Sequence, residues 1–545
     1  MVTATRLPRL VVAAPSTGQG KTTIATGLMA ALAARGTVVS GHKVGPDYID
    51  PGYHALATGR PGRNLDPHLV GEERIVPLLL HGARGADVAI VEGVMGLYDG
   101  RLGTDGFAST AHVAGLTSSP VVLVVDVARM SRTAAAIAAG MAAYDDGDRQ
   151  ARIAGVVLNR TGSARNDAEI ARAMERAGLP VLGMLPRDEE LATPSRHLGL
   201  VTAAERDGSV ALIQRLGERV ASHLDLDALL AVAHSAPDLD GTAWEPTAEI
   251  RPAGEGRPVV AMAGGRAFTF RYPETEELLR AAGCDVVAFD PLRDVSLPAG
   301  TRGVYLGGGF PEVYAGELAA NGPLLRDLRA AVASGVPTVA ECAGLLYLAE
   351  TLDGAPMAAA LPVTAAMSER LTLRYPVAVA ASDSLLARAG EEVTGHEFHR
   401  TRTTPTVGSG PAWRPAWEVD GETIGFAGPS LHASYLHVHW AGHPRLAQRF
   451  ADAVHAHEDG GRASPGPPHR PLHPVGHPLR HHGDAETGAG LLDFAVNVYD
   501  GPRPGWLDAA LRDSLAQVGA YPDAAPAHRA IAAHHGRDRD EVLAT

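Results

Sequence analysis

The sequence predicts an α/β protein with two consecutive domains, each built on a parallel β-sheet. Apolar runs rich in Val, Ile and Leu alternate with helix-like stretches from residue 8 to about 235, and the same alternation returns from 258 to about 455. The stretches between runs are long enough for helices that cross from one parallel strand to the next. A length of 545 residues agrees with several domains, because a single core rarely grows beyond about 250–300 residues.

The apolar runs are nearly uninterrupted, which indicates strands covered on both faces, as in parallel sheets. In the first domain, residues 1–235, the runs are 9–15, 37–44, 87–94, 120–127 and 153–160. In the second domain, residues 258–455, they are 258–265, 285–290, 302–309 and 336–344. The stretch 236–257 is polar and rich in Pro and Gly, so it is predicted to be the linker between the two domains.

The C-terminal part has a different composition. Residues 456–483 are dominated by Pro, Gly, His and Arg, which is typical of a flexible tether. The remaining segment, 484–545, is too short for a robust core of its own.

Composition and charge exclude several kinds of partner. The formal net charge is −14 and the sequence has no dense Lys/Arg tract, which argues against nucleic acid or an anionic membrane as a partner. Two cysteines without a CxxC pair predict neither a disulfide framework nor a zinc site. The Ala-rich run 133–144 is too short to span a bilayer. We therefore expect a soluble protein of the cytoplasm.

A phosphate-binding loop is predicted in 14-APSTGQGKTTIATGL-28, between the first strand and a helix. The pattern GxxxxGK[ST] is met except at its first glycine, which is Pro15 here. Glycines let backbone N–H groups turn toward phosphate oxygens, the lysine adds positive charge, and the threonine can ligate Mg²⁺. A glycine-rich turn that merely starts a helix is the alternative, but the order strand, loop, helix favours nucleotide binding. The predicted nucleotide-binding residues are Gly18, Gly20, Lys21, Thr22 and Thr23.

Polar side chains follow three other strands of the first domain. The loops 42-HKVGPDYIDP-51 and 91-VEGVMGLYDGR-101 place Asp47 and Glu92 at strand ends, where open α/β sheets bind ligands. Together with Thr22 these carboxylates are predicted to hold Mg²⁺, although solvated loop carboxylates are the ordinary alternative. Asn159 ends a further strand, where it can bind an adenine edge or cap the loop.

The second domain places Cys342 at a strand-to-helix turn, in 337-PTVAECAGLLYL-348. A thiol beneath a helix N-terminus is favoured as the reactive thiolate, although free cysteines are more often inert core residues. Two features favour a nucleophile: the glycine-rich loop 306–314, suited to an oxyanion, and the β-type run 434-SYLHVHW-440, which places His437 and His439 on one face. Cys284 has no such setting and is interpreted as structural.

These motifs resemble the cobyrinate/hydrogenobyrinate a,c-diamide synthases of corrinoid biosynthesis. The resemblance rests on APSTGQGKTT, KVGPDYIDP, VEGVMGLYDG, GGGFPE, AECAGLLYL, GHEFHR and SYLHVHW, which cover residues ~8 to ~455 in the expected order. It implies a P-loop NTPase-like domain, similar to dethiobiotin synthetase, that forms amides with ATP. A class I glutamine amidotransferase-like α/β domain follows it.

The resemblance also implies roles for individual residues. Cys342 attacks the glutamine carboxamide and releases ammonia, with His437 as its first-choice partner and His439 as the second. The ATP γ-phosphoryl group then activates the a and c carboxylates of hydrogenobyrinate or cobyrinate, which ammonia converts to amides. No Glu follows closely after His437, so a third catalytic member is absent or supplied differently. The implied substrate-binding residues are Asp47, Tyr48, Asp50 and Asp99 in the first domain and Gly308 and Gly309, for the oxyanion, in the second.

Several alternatives stay open. A cobyric acid synthase-type enzyme has the same two domains, and a P-loop ATPase with an inactive amidotransferase module is a candidate of another class. The segment 395-GHEFHR-400 is assigned to substrate or interdomain contact, and a homodimer is possible. Residues 484–545 resemble the beginning of threonine-phosphate decarboxylase-type PLP enzymes, whose Schiff-base lysine lies much later in their fold.

Overall fold

A computed structural model describes residues 4–144, 147, 151–188, 195–196, 199–200 and 208–457 of the chain. The predicted tether 456–483 lies outside these residues apart from its first two positions. The segment that resembles PLP enzymes, 484–545, lies outside them entirely.

The N-terminal half is organised around one seven-stranded sheet in which every strand pairing is parallel. Its order is β4-β3-β5-β2-β6-β7-β8. The strands of this half are β1 (Ala4–Thr5), β2 (Arg9–Ala13), β3 (Val39–Val44), β4 (Arg63–Leu65), β5 (Val88–Glu92), β6 (Val121–Asp126), β7 (Ile153–Thr161), β8 (Val181–Pro186), β9 (Ser195–Arg196), β10 (Gly199–Leu200) and β11 (Leu239–Asp240).

Helices cover both faces of this sheet, as the apolar strands require. They are α1 (Lys21–Ala34), α2 (Ile49–Thr58), α3 (Pro67–Val70), α4 (Ile75–Gly82), α5 (Thr110–Leu116), α6 (Thr133–Ala143), α7 (Ala164–Arg176), α8 (Ser209–His223), α9 (Leu226–His234) and α10 (Pro246–Glu249), with a 3-10 turn at Glu72–Arg74. The five strands predicted for this half are present as β2, β3, β5, β6 and β7. The sequence did not predict β4 and β8, which extend the sheet at its two edges.

The C-terminal half contains a six-stranded sheet of order β13-β12-β14-β15-β25-β24, parallel except for its last pairing. Two four-stranded sheets, β17-β16-β18-β21 and β20-β19-β22-β23, are built from the chain between β15 and β24. The strands are β12 (Val259–Ala263), β13 (Asp285–Phe289), β14 (Thr301–Leu306), β15 (Thr338–Glu341), β16 (Thr351–Leu352), β17 (Ala355–Pro356), β18 (Thr364–Arg374), β19 (Val377–Ala380), β20 (Glu392–Thr394), β21 (Glu397–Thr404), β22 (Trp417–Val419), β23 (Glu422–Ile424), β24 (Phe426–Ala427) and β25 (Leu431–Ser434).

The described part of this half, up to residue 457, has five α-helices. They are α11 (Pro273–Ala281), α12 (Ala315–Ala320), α13 (Gly322–Ala333), α14 (Ala343–Leu348) and α15 (Pro444–Ala456), and a 3-10 helix spans Pro311–Tyr314. The predicted strands of the second domain correspond to β12, β13, β14 and β15. Across the described ranges, no helix combines the length and apolar character that crossing a membrane requires.

The connection 236–257 between the halves is packed against the protein. Its strand β11 pairs antiparallel with β1, and the side chains of Trp244 and Ile250 are buried. The domain limits at 235 and 258 stay predictions.

A buried ion-pair cluster joins the two halves. Arg63 of β4 donates to Glu274 at 2.6 Å and to Glu277, both on α11. His81 of α4 lies 2.9 Å from Glu277. These contacts hold the edge strand β4 of the first sheet against α11 of the C-terminal half.

Candidate active site

The phosphate loop has the backbone conformation that its glycines allow. Gly18 and Gly20 lie at φ 83° and 94°, in the left-handed region that favours glycine, and Gly20 is the residue before α1. A Cβ on Gly20 would come within 2.2 Å of Asn159 Nδ2. Asn159 in turn donates to the Gln19 carbonyl at 2.8 Å and accepts from the Arg160 N–H. Asn159 therefore fixes the loop in this structure, while its contact with adenine stays a prediction.

A cavity of about 620 Å³ opens beside the phosphate loop, and cavities of this size hold small-molecule ligands. Its walls include Gly20, Thr23, Asp126, Asn159, Arg160 and Arg187. The position is consistent with a nucleoside whose phosphates extend toward Gly20 and α1.

Lys21 points back into the loop. Its ammonium group donates to the backbone carbonyls of Met95 and Ser16. Burial, followed by the nearby charge of Lys43, lowers the pKa of Lys21 to about 8. The sequence contains only these two lysines, and both lie at this centre.

A cluster of charged side chains adjoins the phosphate loop, as the converging strand ends predict. Lys43 lies 2.7 Å from Asp50 and 2.9 Å from Glu92, and Thr22 donates to Glu92 at 2.6 Å. His54 approaches the other Glu92 oxygen at 2.7 Å. Burial opposes ionisation of Glu92, but Lys43 and His54 hold its pKa below the ordinary value.

The pKa of Asp50 is shifted in the opposite direction to that of Glu92, although both belong to the same cluster. Burial, and then the neighbouring carboxylates of Asp47 and Glu92, raise the pKa of Asp50 despite the contact with Lys43. The cluster therefore holds an excess of carboxylate groups over ammonium groups, an arrangement that attracts a further cation.

The oxygen donors of this cluster fit Mg²⁺, which prefers hard oxygen ligands and usually combines one or two carboxylates with substrate phosphates. Thr22 Oγ1 lies 2.6 Å from Glu92 and 3.4 Å from Asp50. Among the described residues, no group of three or more His, Cys, Asp or Glu forms a metal site by itself. A site shared with ATP oxygens agrees with that finding.

Asp50, rather than Asp47, contacts Thr22 and Lys43 in this structure, and the metal-ligand role of Asp47 stays a prediction. One oxygen of Asp47 caps α2 by accepting from the N–H groups of Ile49 and Asp50, at 2.7 and 3.3 Å. Asp99 likewise supports its own loop by accepting from the Gly96 N–H at 2.9 Å. Contact of Asp47 and Asp99 with substrate stays a prediction.

Cys342 occupies a strained turn between β15 and α14. Its φ and ψ are 47° and −99°, an uncommon conformation for a residue with a side chain. The turn is held by a hydrogen bond from the Cys342 N–H to the Ser434 carbonyl at 2.8 Å. A Cβ on Gly344 would lie 2.3 Å from the Leu306 carbonyl oxygen, so this close approach requires glycine. The side chain of Cys342 faces the imidazole of His437.

His437 is the histidine that pairs with the thiol. Burial opposes protonation of His437, but its interactions with Cys342 and then Glu341 raise the pKa to about 10. Its Nδ1 lies 3.8 Å from a carboxylate oxygen of Glu341. That oxygen accepts from the Tyr305 hydroxyl at 3.1 Å. Cys342, His437 and Glu341 thus have the order of a nucleophile, a base and a carboxylate that orients the base.

His439 is directed elsewhere. Its ring stacks on Tyr272 at 4.0 Å, and its Nε2 lies 3.6 Å from Glu274. Burial lowers the pKa of His439 to about 4. The prediction of a β-type run over 434–440 is wrong, because β25 ends at Ser434. Beyond that point the two histidines no longer share one face.

Glu341 is a site residue that the sequence analysis missed. A third catalytic residue was expected on the C-terminal side of His437. Glu341 instead lies immediately before the nucleophile Cys342 in the sequence. The signal that could have identified Glu341 is an ionisable residue at the end of the buried, otherwise uncharged strand TVAE.

The amide of Gly308, a predicted oxyanion donor, has another partner in this structure. The Gly308 N–H donates to the Phe270 carbonyl at 3.1 Å, so this donor is engaged. A Cβ on Gly308 would lie 2.4 Å from His437 Cε1, which makes Gly308 a close packing neighbour of that imidazole. Gly309 stays a predicted donor, and a Cβ there would meet the Ala267 carbonyl oxygen at 2.1 Å.

Comparison with known proteins agrees with both centres. A family model described as a CobQ/CobB/MinD/ParA nucleotide binding domain matches residues 10–201, and a CobB/CobQ-like glutamine amidotransferase domain matches 259–445. The hydrogenobyrinate a,c-diamide synthase of Thermobifida fusca is 60% identical to the chain over 470 residues, which are 83% of this chain and 98% of that protein. The chain belongs to the hydrogenobyrinate/cobyrinate a,c-diamide synthase family.

Other members of the family are similar along the same length. The hydrogenobyrinate a,c-diamide synthase of Streptomyces coelicolor is 52% identical, over 82% of this chain and 97% of that protein. The cobyrinate a,c-diamide synthase of a Synechococcus strain is 41% identical, over 82% and 98%. The predicted family, with a P-loop NTPase-like domain before a glutamine amidotransferase-like domain, is therefore confirmed.

In this member of the family, the segment 395–400 reaches the centre formed by Cys342 and His437. His396 pairs with His437 through an isolated backbone bridge, and their rings stack at 4.9 Å. His396 also lies 3.2 Å from the Tyr272 hydroxyl. Glu397 accepts from Arg374 at 2.7 Å. The segment that was assigned to substrate or interdomain contact therefore lies against the imidazole that pairs with Cys342.

Proposed function

We propose that the protein amidates the a and c side-chain carboxylates of hydrogenobyrinate or cobyrinate with ATP and glutamine. The observation that carries this proposal is the presence of two distinct centres in one chain. One is the strained Cys342 beside His437, and the other is the phosphate loop beside Asp50 and Glu92. A reaction that frees ammonia and a reaction that activates a carboxylate need such separate centres.

At the first centre, Cys342 attacks the carboxamide carbon of glutamine. His437 accepts the thiol proton and passes it to the departing amine, so that ammonia leaves and a glutamyl thioester remains. Water then hydrolyses the thioester, which yields glutamate and restores the thiol. Glu341 holds the His437 ring and stabilises its protonated form.

At the second centre, Lys21 releases its backbone carbonyls and binds ATP phosphate oxygens. A carboxylate oxygen of the acceptor attacks the γ-phosphorus, ADP leaves, and an acyl phosphate forms. Ammonia then attacks the acyl carbon, and inorganic phosphate leaves as the amide and a released proton are formed. Thr22, Asp50 and Glu92 would hold Mg²⁺, which when bound neutralises phosphate charge during phosphoryl transfer.

Hydrogenobyrinate is the favoured acceptor. Among eight relatives compared, five named for hydrogenobyrinate are 49–60% identical to the chain and three named for cobyrinate are 40–41% identical. A cytoplasmic location and a homodimer stay predictions. The arrangement of Cys342, His437 and Glu341 argues against an inactive amidotransferase module.

Nitrogen-source dependence tests this proposal. We expect Cys342→Ala to lose amidation driven by glutamine and to keep amidation driven by added ammonia, since only the first centre is damaged. Cys284→Ala is the matched control, because Cys284 is buried away from both centres and burial raises its pKa to about 11. Lys21→Ala should lose amidation from either nitrogen source. Amide formation from glutamine by Cys342→Ala, or from ammonia by Lys21→Ala, would contradict the assignment.

A further inference from the structure

Tyr48 belongs to the first half of the chain, but its ring lies among residues of the second. It stacks on Phe270 with ring centroids 5.1 Å apart and an angle of 8°. It lies 4.6 Å from Tyr272, 5.5 Å from His396 and 5.3 Å from His437. A residue of the ATP-dependent half therefore forms part of the wall around the glutaminase imidazole.

The same short segment is anchored at the ATP-dependent centre. Asn64 donates to the carbonyls of Gly45 and Asp47, both at 2.7 Å, which fixes the chain just before Tyr48. Tyr48 is the residue before α2, and Asp50 is the second residue of that helix. Asp50 contacts Lys43 and the hydroxyl of Thr22. A single residue, Ile49, therefore separates a residue whose ring lies beside His437 from one whose carboxylate lies beside the phosphate loop.

This connection links occupancy of one centre to geometry at the other. Cations, phosphate oxygens or an acceptor carboxylate that arrive at Thr22 and Lys43 must share or displace the contacts of Asp50. Because Asp50 lies in the first turn of α2, a shift of its backbone moves Tyr48 as well. His437 has to exchange a proton with Cys342 and with the leaving amine. The rate of ammonia release therefore depends on how the Tyr48 ring positions the His437 imidazole.

We propose that Tyr48 is a positioning residue that makes ammonia release at Cys342 depend on occupancy of the ATP-dependent centre. The inference rests on the proposed function and adds to it a residue that links the two reactions. Ammonia set free without a waiting acyl phosphate is protonated in water and lost, so such a link preserves one amide for each glutamine consumed.

The test compares glutamate formation with and without Mg–ATP and hydrogenobyrinate, in wild type, Tyr48→Ala and Tyr48→Phe. In the wild type we expect the additions to raise the glutaminase rate by roughly 5- to 150-fold, the usual size of coupling between two sites. In Tyr48→Ala that ratio should fall to near one, and more glutamate than amide should form. Tyr48→Phe keeps the ring contacts and should keep the ratio.

A matched control is Tyr375→Ala, which removes a ring from another contact between the halves. Tyr375 stacks on His68 at 4.2 Å, and its described ring contacts do not include His437. We expect this variant to keep both the rate ratio and the balance of glutamate to amide.

The outcomes separate this inference from the proposed function. Because Tyr48 is also an implied substrate-binding residue, the glutaminase rate ratio is measured at saturating hydrogenobyrinate, where weaker acceptor binding alone leaves the ratio unchanged. An unchanged rate ratio in Tyr48→Ala under those conditions, or loss of coupling in Tyr48→Phe or Tyr375→Ala, would each overturn the inference. Absence of amide formation in the wild type would instead overturn the proposed function.

Discussion

Replacement of Glu341 by Gln tests whether a carboxylate supports the base at the glutaminase centre. The carboxylate lies 3.8 Å from His437 Nδ1. Two unit charges at that distance interact by about 4 kcal/mol at an effective dielectric constant of ~20. At about 1.4 kcal/mol for each tenfold change, the loss shifts the balance between imidazolium and imidazole by roughly a thousandfold. Glu341→Gln should therefore lower the pKa of His437 and slow glutaminase turnover by about 10²–10³-fold.

The assay is glutamate release from glutamine in the presence of Mg–ATP and acceptor, followed by amide formation from added ammonia in the same preparation. Glutamate release should fall, and amidation from ammonia should be unchanged because the second centre is intact. Tyr305→Phe removes only the hydroxyl that donates to Glu341 and should cause a smaller loss. If Glu341→Gln releases glutamate at the wild-type rate, the carboxylate has no part in the reaction.

Two further predictions concern stability. Because the pKa of His437 is raised to about 10, its contribution to stability is complete below the unfolded value of about 6.5 and is lost as pH rises toward 10. The melting-temperature difference between wild type and His437→Gln should shrink over that range, and a constant difference would refute the shift. Arg63→Ala leaves Glu274 buried without its partner and should reduce the free energy of unfolding by about 3–5 kcal/mol. Arg280→Ala breaks an exposed pair and should cost less than about 1 kcal/mol in urea titrations; equal losses would refute the argument.

Strands with continuous apolar residues were predicted, apart from the edge strand β8 with the sequence VLGMLP. Strands whose side chains make long-range polar contacts were not. β4 has the sequence RNL, which gives no hydrophobic signal. Arg63 is used for the ion pairs with α11, and Asn64 is used to hold the carbonyls before Tyr48. The pattern of a buried strand is lost where its side chains serve long-range contacts, so a sequence-based interpretation finds a loop there.

The candidate site was predictable where its signals are local. The phosphate loop and the turn at Cys342 each depend on neighbours within a few residues, and both are present. The choice between His437 and His439 could not be made, because residues two apart share a face of a regular strand and the chain leaves the strand before them. The setting of Tyr48 was beyond sequence reasoning for a different reason: its ring partners lie more than 200 residues away in the chain.

The scarcity of lysine has a practical consequence. Both lysines of the sequence lie at the ATP-dependent centre, and Lys43 is held by two carboxylates whereas Lys21 contacts only backbone carbonyls. Of the two side-chain amines, a reagent selective for primary amines has Lys21 as the target without a carboxylate partner among the described residues, and its side chain is buried beside the phosphate loop. Mass spectrometry of that single labelled peptide would report nucleotide occupancy directly, without a tag or an engineered reporter.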